Sequence, residues 1–179
     1  MTSEQHRQAK RPVSAALAGP YGHPFHPILV TVPIGAWVGS FVFDVASRLV
    51  DEPEFLARGA MWLIATGVIG AVAAAMVGFL DLFAIPSGTR AFRVGLVHMA
   101  LNLLVTAAYA GSFLWRQAGG GPSGGVGTGQ LALNAVTLAV LGVSGFLGGR
   151  LAYRYGVRVA DEATQAEGFV PRSPTPDHR

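Results

Sequence analysis

The chain contains no cysteine, and only 13% of its 179 residues are charged. The first absence excludes disulfides, thiol nucleophiles, iron–sulfur clusters and c-type haem attachment within this chain. The second sets it apart from water-soluble domains, in which roughly a quarter of residues carry charge. Catalytic signatures are missing as well. The Gly-x-Ser-x-Gly match at Gly121–Gly125 falls in a glycine-rich stretch with no strand before it and so makes no nucleophile elbow, and no His-Glu-x-x-His pair occurs, which argues against a hydrolytic enzyme. The chain is therefore not read as an enzyme by itself. The glycine-rich residues 119–129 have no Gly-Lys-Ser/Thr after them and no strand before them, so they read as a flexible connector, not a phosphate loop.

What is present is apolar. Half of the residues (51%) are hydrophobic, and the charges cluster so that long runs are almost free of them. A bilayer core about 30 Å thick needs roughly 20 apolar residues to be crossed by a helix. Four runs qualify, at roughly 28–50, 60–80, 94–115 and 131–153. Pro27 suits a first helical turn, Asp51–Glu52–Pro53–Glu54 reads as a charged turn, and Ile85–Pro86–Ser87–Gly88 stops the second helix. Trp115, Tyr153 and Tyr155 fall where interfacial aromatics are expected. The first run is longer than a signal-peptide core and no cleavage site follows it, so it reads as a retained helix. The fold class is thus an all-α membrane protein. It is a four-transmembrane-helix bundle over residues 23–159, with N and C termini on the same side. Residues 1–22 read as a flexible N-terminal tail and 160–179 as a disordered C-terminal tail.

Orientation follows from the basic residues. Alternating spans put Arg7, Lys10, Arg11, Arg90, Arg93, Arg150, Arg154, Arg158, Arg172 and Arg179 on one side, and Arg48, Arg58 and Arg116 on the other. The positive-inside rule makes the richer side, with both termini, cytoplasmic. The same distribution explains the net charge of +3 without nucleic acid as a partner, because the cations flank apolar spans. Small residues repeat at four-residue spacing, as in Gly35 and Gly39, in Gly145 and Gly149, and in Gly67, Ala71 and Ala75. Such stripes let helices pack closely within one bundle or in a homo-oligomer.

Ionisable groups inside spans are costly and are functional-site hypotheses by default. His23, His26, Asp81 and His98 are expected to converge at the cytoplasmic face. Imidazoles with a carboxylate there suit a transition metal. Alternatively, His26 and His98 suit the axial positions of a b-type haem, with Asn102 beside them. His98, Asn102, Thr106 and Tyr109 share one helical face, a stripe that fits a cofactor's edge, a proton path or a wet cleft. Structural roles compete with these. Asp81 can pair with Arg90 or Arg93 across a short connection. Asp44 can pair with Arg48 one turn on, or with Asn134 at similar depth. His98 can simply bond a neighbouring helix. A membrane scaffold or assembly partner, or a component of a small transporter, are the functional alternatives. No inverted repeat or broken helix pair supports transport.

The run His23–Pro24–Phe25–His26–Pro27–Ile28–Leu29–Val30, with Pro33–Ile34–Gly35–Ala36–Trp37–Val38 and Phe43–Asp44, resembles the opening of a bacterial membrane-protein family. Gly78–Phe79–Leu80–Asp81, the Ile85–Pro86–Ser87–Gly88–Thr89–Arg90–Ala91 turn and the His98–Met99–Ala100–Leu101–Asn102 run also match it. So does the end of the fourth span, from Val143 through Arg150 to Gly156–Val157. The family is domain of unknown function 2231. The resemblance covers roughly residues 22–159 and implies a four-helix protein of the bacterial cytoplasmic membrane without an assigned activity. Some members are fused to Rieske-type iron–sulfur domains, which implies a redox setting. For this chain, any electron-transfer partner would be a separate protein. His23, His26, Asp44, Asp81, Arg90, Arg93, His98 and Asn102 are the motif positions carried over.

Overall fold

A computed structural model describes residues 3–119 and 124–170. Part of the glycine-rich connector (120–123) and Pro171, Arg172, Pro174, Pro176 and Arg179 lie outside the described residues. Among the described residues all regular structure is helical. A short helix α1 (Ser3–Lys10) is followed by four long ones: α2 (His26–Ala46), α3 (Glu54–Ala84), α4 (Arg90–Ala118) and α5 (Thr128–Arg154). A further short helix, α6, spans Glu162–Ala166 and runs on into a 3-10 turn, Glu167–Phe169. Each of the four long helices is long and apolar enough to cross a membrane. In sequence order α2 packs on α3, α3 on α4 and α4 on α5, and α5 returns to α2, which closes the bundle.

Local chemistry sets the breaks. Pro33 has no N–H to donate to Leu29 and its ring crowds that carbonyl, so α2 is interrupted at Val30 and resumes at Thr31. Ile85 precedes Pro86 and is extended (φ −83°, ψ 122°), which ends α3. Gly88 then turns with a positive φ of 77°. The Thr89 hydroxyl caps α4 by accepting from the Phe92 N–H at 3.1 Å.

The centre of the bundle is made of Trp37, Ile64, Val105 and Tyr109, all nearly inaccessible. The Trp37 and Tyr109 rings stack with centroids 4.3 Å apart. The Trp37 indole N–H donates to Ile64 O on α3 at 3.3 Å and lies where a Cβ on Gly67 would stand. Gly67 is therefore a close-approach position for α2 and α3. Large apolar side chains such as Ile69, Met76, Val136 and Phe146 point outward, a surface that only lipid would cover comfortably.

The segments outside the four spans are folded against one end of the bundle. Residues 3–22 and 160–170 carry α1 and α6 and meet each other. The Arg158 N–H donates to Ala9 O (2.9 Å) and the Asp161 N–H to the Tyr21 hydroxyl (2.7 Å). Arg158 is the physical reason. It is almost wholly buried, sits at a positive φ of 61°, and donates through Nη2 to Ala18 O and Gly19 O, both at 2.9 Å.

Candidate functional site

The polar side chains inside the bundle form three separate groups. The first joins all four spans around two histidines. His26, at the start of α2, bonds through Nδ1 to Ala74 O of α3 at 2.9 Å. His98, on α4, bonds through Nδ1 to Ser144 O of α5 at 2.8 Å. A carbonyl oxygen can only accept, so in both rings Nδ1 carries the proton, and in a neutral imidazole Nε2 keeps its lone pair. The rings stand edge to face, with centroids 6.3 Å apart and planes at 89°. Glycines make room for them. A Cβ on Gly78 would stand 2.8 Å from His26 Nδ1 and Cε1, and one on Gly148 would stand 3.0 Å from His98 Cε1.

Asn102 and Ser144 hold the second ring. Asn102 Nδ2 donates to His98 O at 2.8 Å, and Ser144 Oγ donates to the same carbonyl at 3.2 Å. Asn102 Nδ2 is also 3.3 and 3.2 Å from the two ring nitrogens of His98. With the proton on Nδ1, Nε2 is the acceptor of the ring, and the Asn102 amide lies within hydrogen-bonding distance of it.

This pair lies deeper than its sequence positions imply. His98 is the ninth residue of α4, which at 1.5 Å per residue puts it about 12 Å from the helix start. His26 reaches that depth because α2 begins there, beside Ala74 in the interior of α3. The end of α3 projects past it, and the N-terminal segment packs against that projection.

The four-ligand set His23, His26, Asp81 and His98 is not assembled. Among the described residues no three His, Cys, Asp or Glu side chains converge as a metal-ligand group. His23 is exposed and meets only Tyr21 O, at 3.4 Å. Asp81 is instead the centre of the second group: its Oδ1 is 2.7 Å from Nε of Arg158. Arg90 and Arg93 are exposed and pair with no carboxylate among the described residues. The reason is geometric. Arg158 is brought over Asp81 by the turn after α5, whereas Arg90 and Arg93 open a helix that runs away from it.

The third group lies towards the opposite end. Asp44 is fully buried and receives two parallel bonds from Arg116, Nη1 to Oδ1 at 2.8 Å and Nη2 to Oδ2 at 2.7 Å. Asn134 Nδ2 donates to Asp44 Oδ2 (2.8 Å) and to Ser40 Oγ (3.1 Å), and Asn134 Oδ1 accepts from the Tyr109 hydroxyl (2.8 Å). The local pair of Asp44 with Arg48 does not form. Arg48 points out of the bundle and donates to Val126 O and Thr128 Oγ1, both at 3.1 Å. Every polar atom of the Asn134 amide and of the Asp44 carboxylate has a partner here, so this group is a filled network with no open coordination position.

Sequence reasoning counted Arg116 and Arg158 only as topology charges and did not single out Ser144. A signal existed for the first. A carboxylate inside a span needs a cation at its own depth, and Arg116 ends the third span on the side where Asp44 ends the first.

No curated protein and no solved structure matches this chain. A family model does match, over residues 22–161, with the description "Predicted membrane protein (DUF2231)". The match takes in the four spans and all three polar groups, and the chain belongs to the DUF2231 family of predicted membrane proteins.

Proposed function

We propose that this multi-pass membrane protein would hold a single metal centre, a b-type haem or a transition metal, through His26 and His98. The observation that carries the reading is the shared pose of the two rings. Each donates Nδ1–H to a backbone carbonyl of another helix, the bond that metal-ligating histidines usually make through their second nitrogen. A haem there would supply one-electron chemistry. This chain's residues would orient the two imidazoles, and the four-helix wall would limit access of water.

The richer set of cations at the end bearing α1 and α6 supports a cytoplasmic location for both termini, in the bacterial inner membrane. A scaffold role is the second reading, and the same hydrogen bonds support it, since His26 ties α2 to α3 and His98 ties α4 to α5.

The deciding experiment is an optical spectrum with metal analysis of the purified protein before and after loading with haem, beside His26→Ala and His98→Ala. A Soret band with a low-spin spectrum, or a stoichiometric metal, that is lost in both variants supports the site. A wild type that stays folded, colourless and metal-free after loading leaves the scaffold.

A further inference from the structure

Outside the bundle, the two terminal segments enclose a cleft of about 440 Å³ lined by Arg7, Lys10, Arg11, Pro12, Tyr21 and Asp161. We infer that this cleft binds a phosphate-bearing anion, as a phospholipid headgroup or a free phosphate ester, with Arg7, Lys10 and Arg11 as its cationic wall.

Three cations face the cleft against one carboxylate. Arg7 and Lys10 stand three positions apart on α1 and Arg11 follows directly after its end, and all three line the cleft. The opposite side of α1 is fixed to the protein, because Ala9 is buried and its carbonyl accepts the Arg158 N–H. Lys10 is the buried member, only 8% exposed, and its ammonium has just two long contacts of 3.4 Å, to Val159 O and Ala160 O. An ammonium has three donors, and burial in so weak a set leaves it under-satisfied. Arg7 and Arg11 are exposed and make no ion pair among the described residues. Paired guanidinium groups match phosphate oxygens in geometry as well as charge.

The single acid is already engaged. Asp161 caps α6, its Oδ1 accepting the Thr164 N–H at 2.9 Å, and its own N–H is held by the Tyr21 hydroxyl. It is a fixed wall of the cleft.

Position favours the headgroup as the source. Asp161 follows the fourth span, which ends at Arg154, and α1 packs on α3 where its end projects past His26, so the cleft stands beyond that end of the bundle, near the level at which lipid phosphates lie.

The test uses the full chain, delipidated in a neutral detergent, with Arg7→Gln/Arg11→Gln beside it. Arg58→Gln is the charge-matched control, since Arg58 is exposed at the N-terminal end of α3 and lies away from the cleft. Circular dichroism establishes that each variant is folded. Native mass spectrometry follows titration with phosphatidylglycerol or with phosphatidylcholine of the same chains. Melting temperature follows titration with glycerol 3-phosphate and with inorganic phosphate. At about 1 kcal/mol for each basic residue near an anionic surface, the double variant should bind phosphatidylglycerol at least about tenfold more weakly, with Arg58→Gln unchanged. Preference for phosphatidylglycerol alone identifies the headgroup. Stabilisation by glycerol 3-phosphate or phosphate that the double variant loses identifies a free phosphate ester. Equal weakening in Arg58→Gln, or no binding of any of the four probes by the wild type, overturns the site. None of these readouts involves His26 or His98, so the outcome is independent of the metal centre.

Discussion

Asp44 and Arg116 stand 72 positions apart in the chain and meet in a two-pronged ion pair, 2.8 and 2.7 Å long, inside the apolar bundle. Asp44 belongs to α2 and Arg116 to the last turn of α4, so the pair joins helices that are not neighbours in sequence. A carboxylate there without its cation would be a bare charge facing hydrocarbon.

Removing one member should therefore do more harm than removing both. Asp44→Ala is expected to destabilise the protein by about 3–5 kcal/mol, because Arg116 is left buried and unpaired. Asp44→Leu combined with Arg116→Met should recover much of that loss. Equilibrium unfolding in mixed micelles of the two single variants and the double one reads the coupling directly. Additive losses would mean that the two charges do not depend on each other.

The glycines at the histidines separate positioning from folding. In Gly148→Ala the new Cβ would press on His98 Cε1, and in Gly78→Ala on two atoms of the His26 ring. Both variants should keep their helix content and tilt a ring away from its carbonyl. If the pair holds haem, the low-spin spectrum should change while circular dichroism does not. Gly142→Ala is the control, because nothing lies within 4 Å of its Cβ position. A Gly148→Ala spectrum identical to the control's would show that ring placement is insensitive to this wall.

Gly67→Ala is expected to be the most damaging glycine substitution in the core. Its Cβ would overlap the Trp37 indole, which is itself stacked on Tyr109. Overpacking of this kind typically costs about 1–3 kcal/mol. The loss should be smaller in Gly67→Ala/Trp37→Phe, where the smaller ring opens space, and thermal unfolding of the pair measures the difference.

Arg158 should act as a latch on the N-terminal segment. It holds Ala18 O, Gly19 O and Asp81 at once. Arg158→Ala is expected to raise the rate of proteolytic cleavage between residues 11 and 25 with the four spans left intact. Arg154→Ala should not, since Arg154 makes no such bonds among the described residues. Equal cleavage in the two would remove Arg158 from this role.

Acid should loosen α6. The Asp161 carboxyl is held below its ordinary value of 3.8, first by the Thr164 backbone N–H, then by side-chain bonds from Thr164 and Tyr21. A depressed carboxyl stabilises the folded form above its ordinary value, and that contribution is lost as pH falls through the lowered one. The Thr164 amide resonance should therefore stay constant down to about pH 4 and shift only below it. Asp161→Asn should flatten the titration.

Composition and periodicity alone determined the gross architecture. Long apolar runs such as the one holding Ile64 and Gly67 have one stable form in a bilayer, because only a helix satisfies its own backbone there. Proline and glycine punctuation at Ile85–Pro86 and at Gly88 placed the ends of helices close to where they fall. Tertiary structure alone decided the partners. His26 meets Ala74 O in the interior of α3, a partner that its position in the chain does not name. Asp81 chose Arg158 over the nearer Arg90 and Arg93, and Asp44 chose Arg116 over Arg48 one turn away. In each case the nearer cation is exposed, while the distant one is buried beside the carboxylate, Arg116 by α4 and Arg158 by the turn after α5. Sequence separation does not encode that burial, and burial decides which charges must be paired.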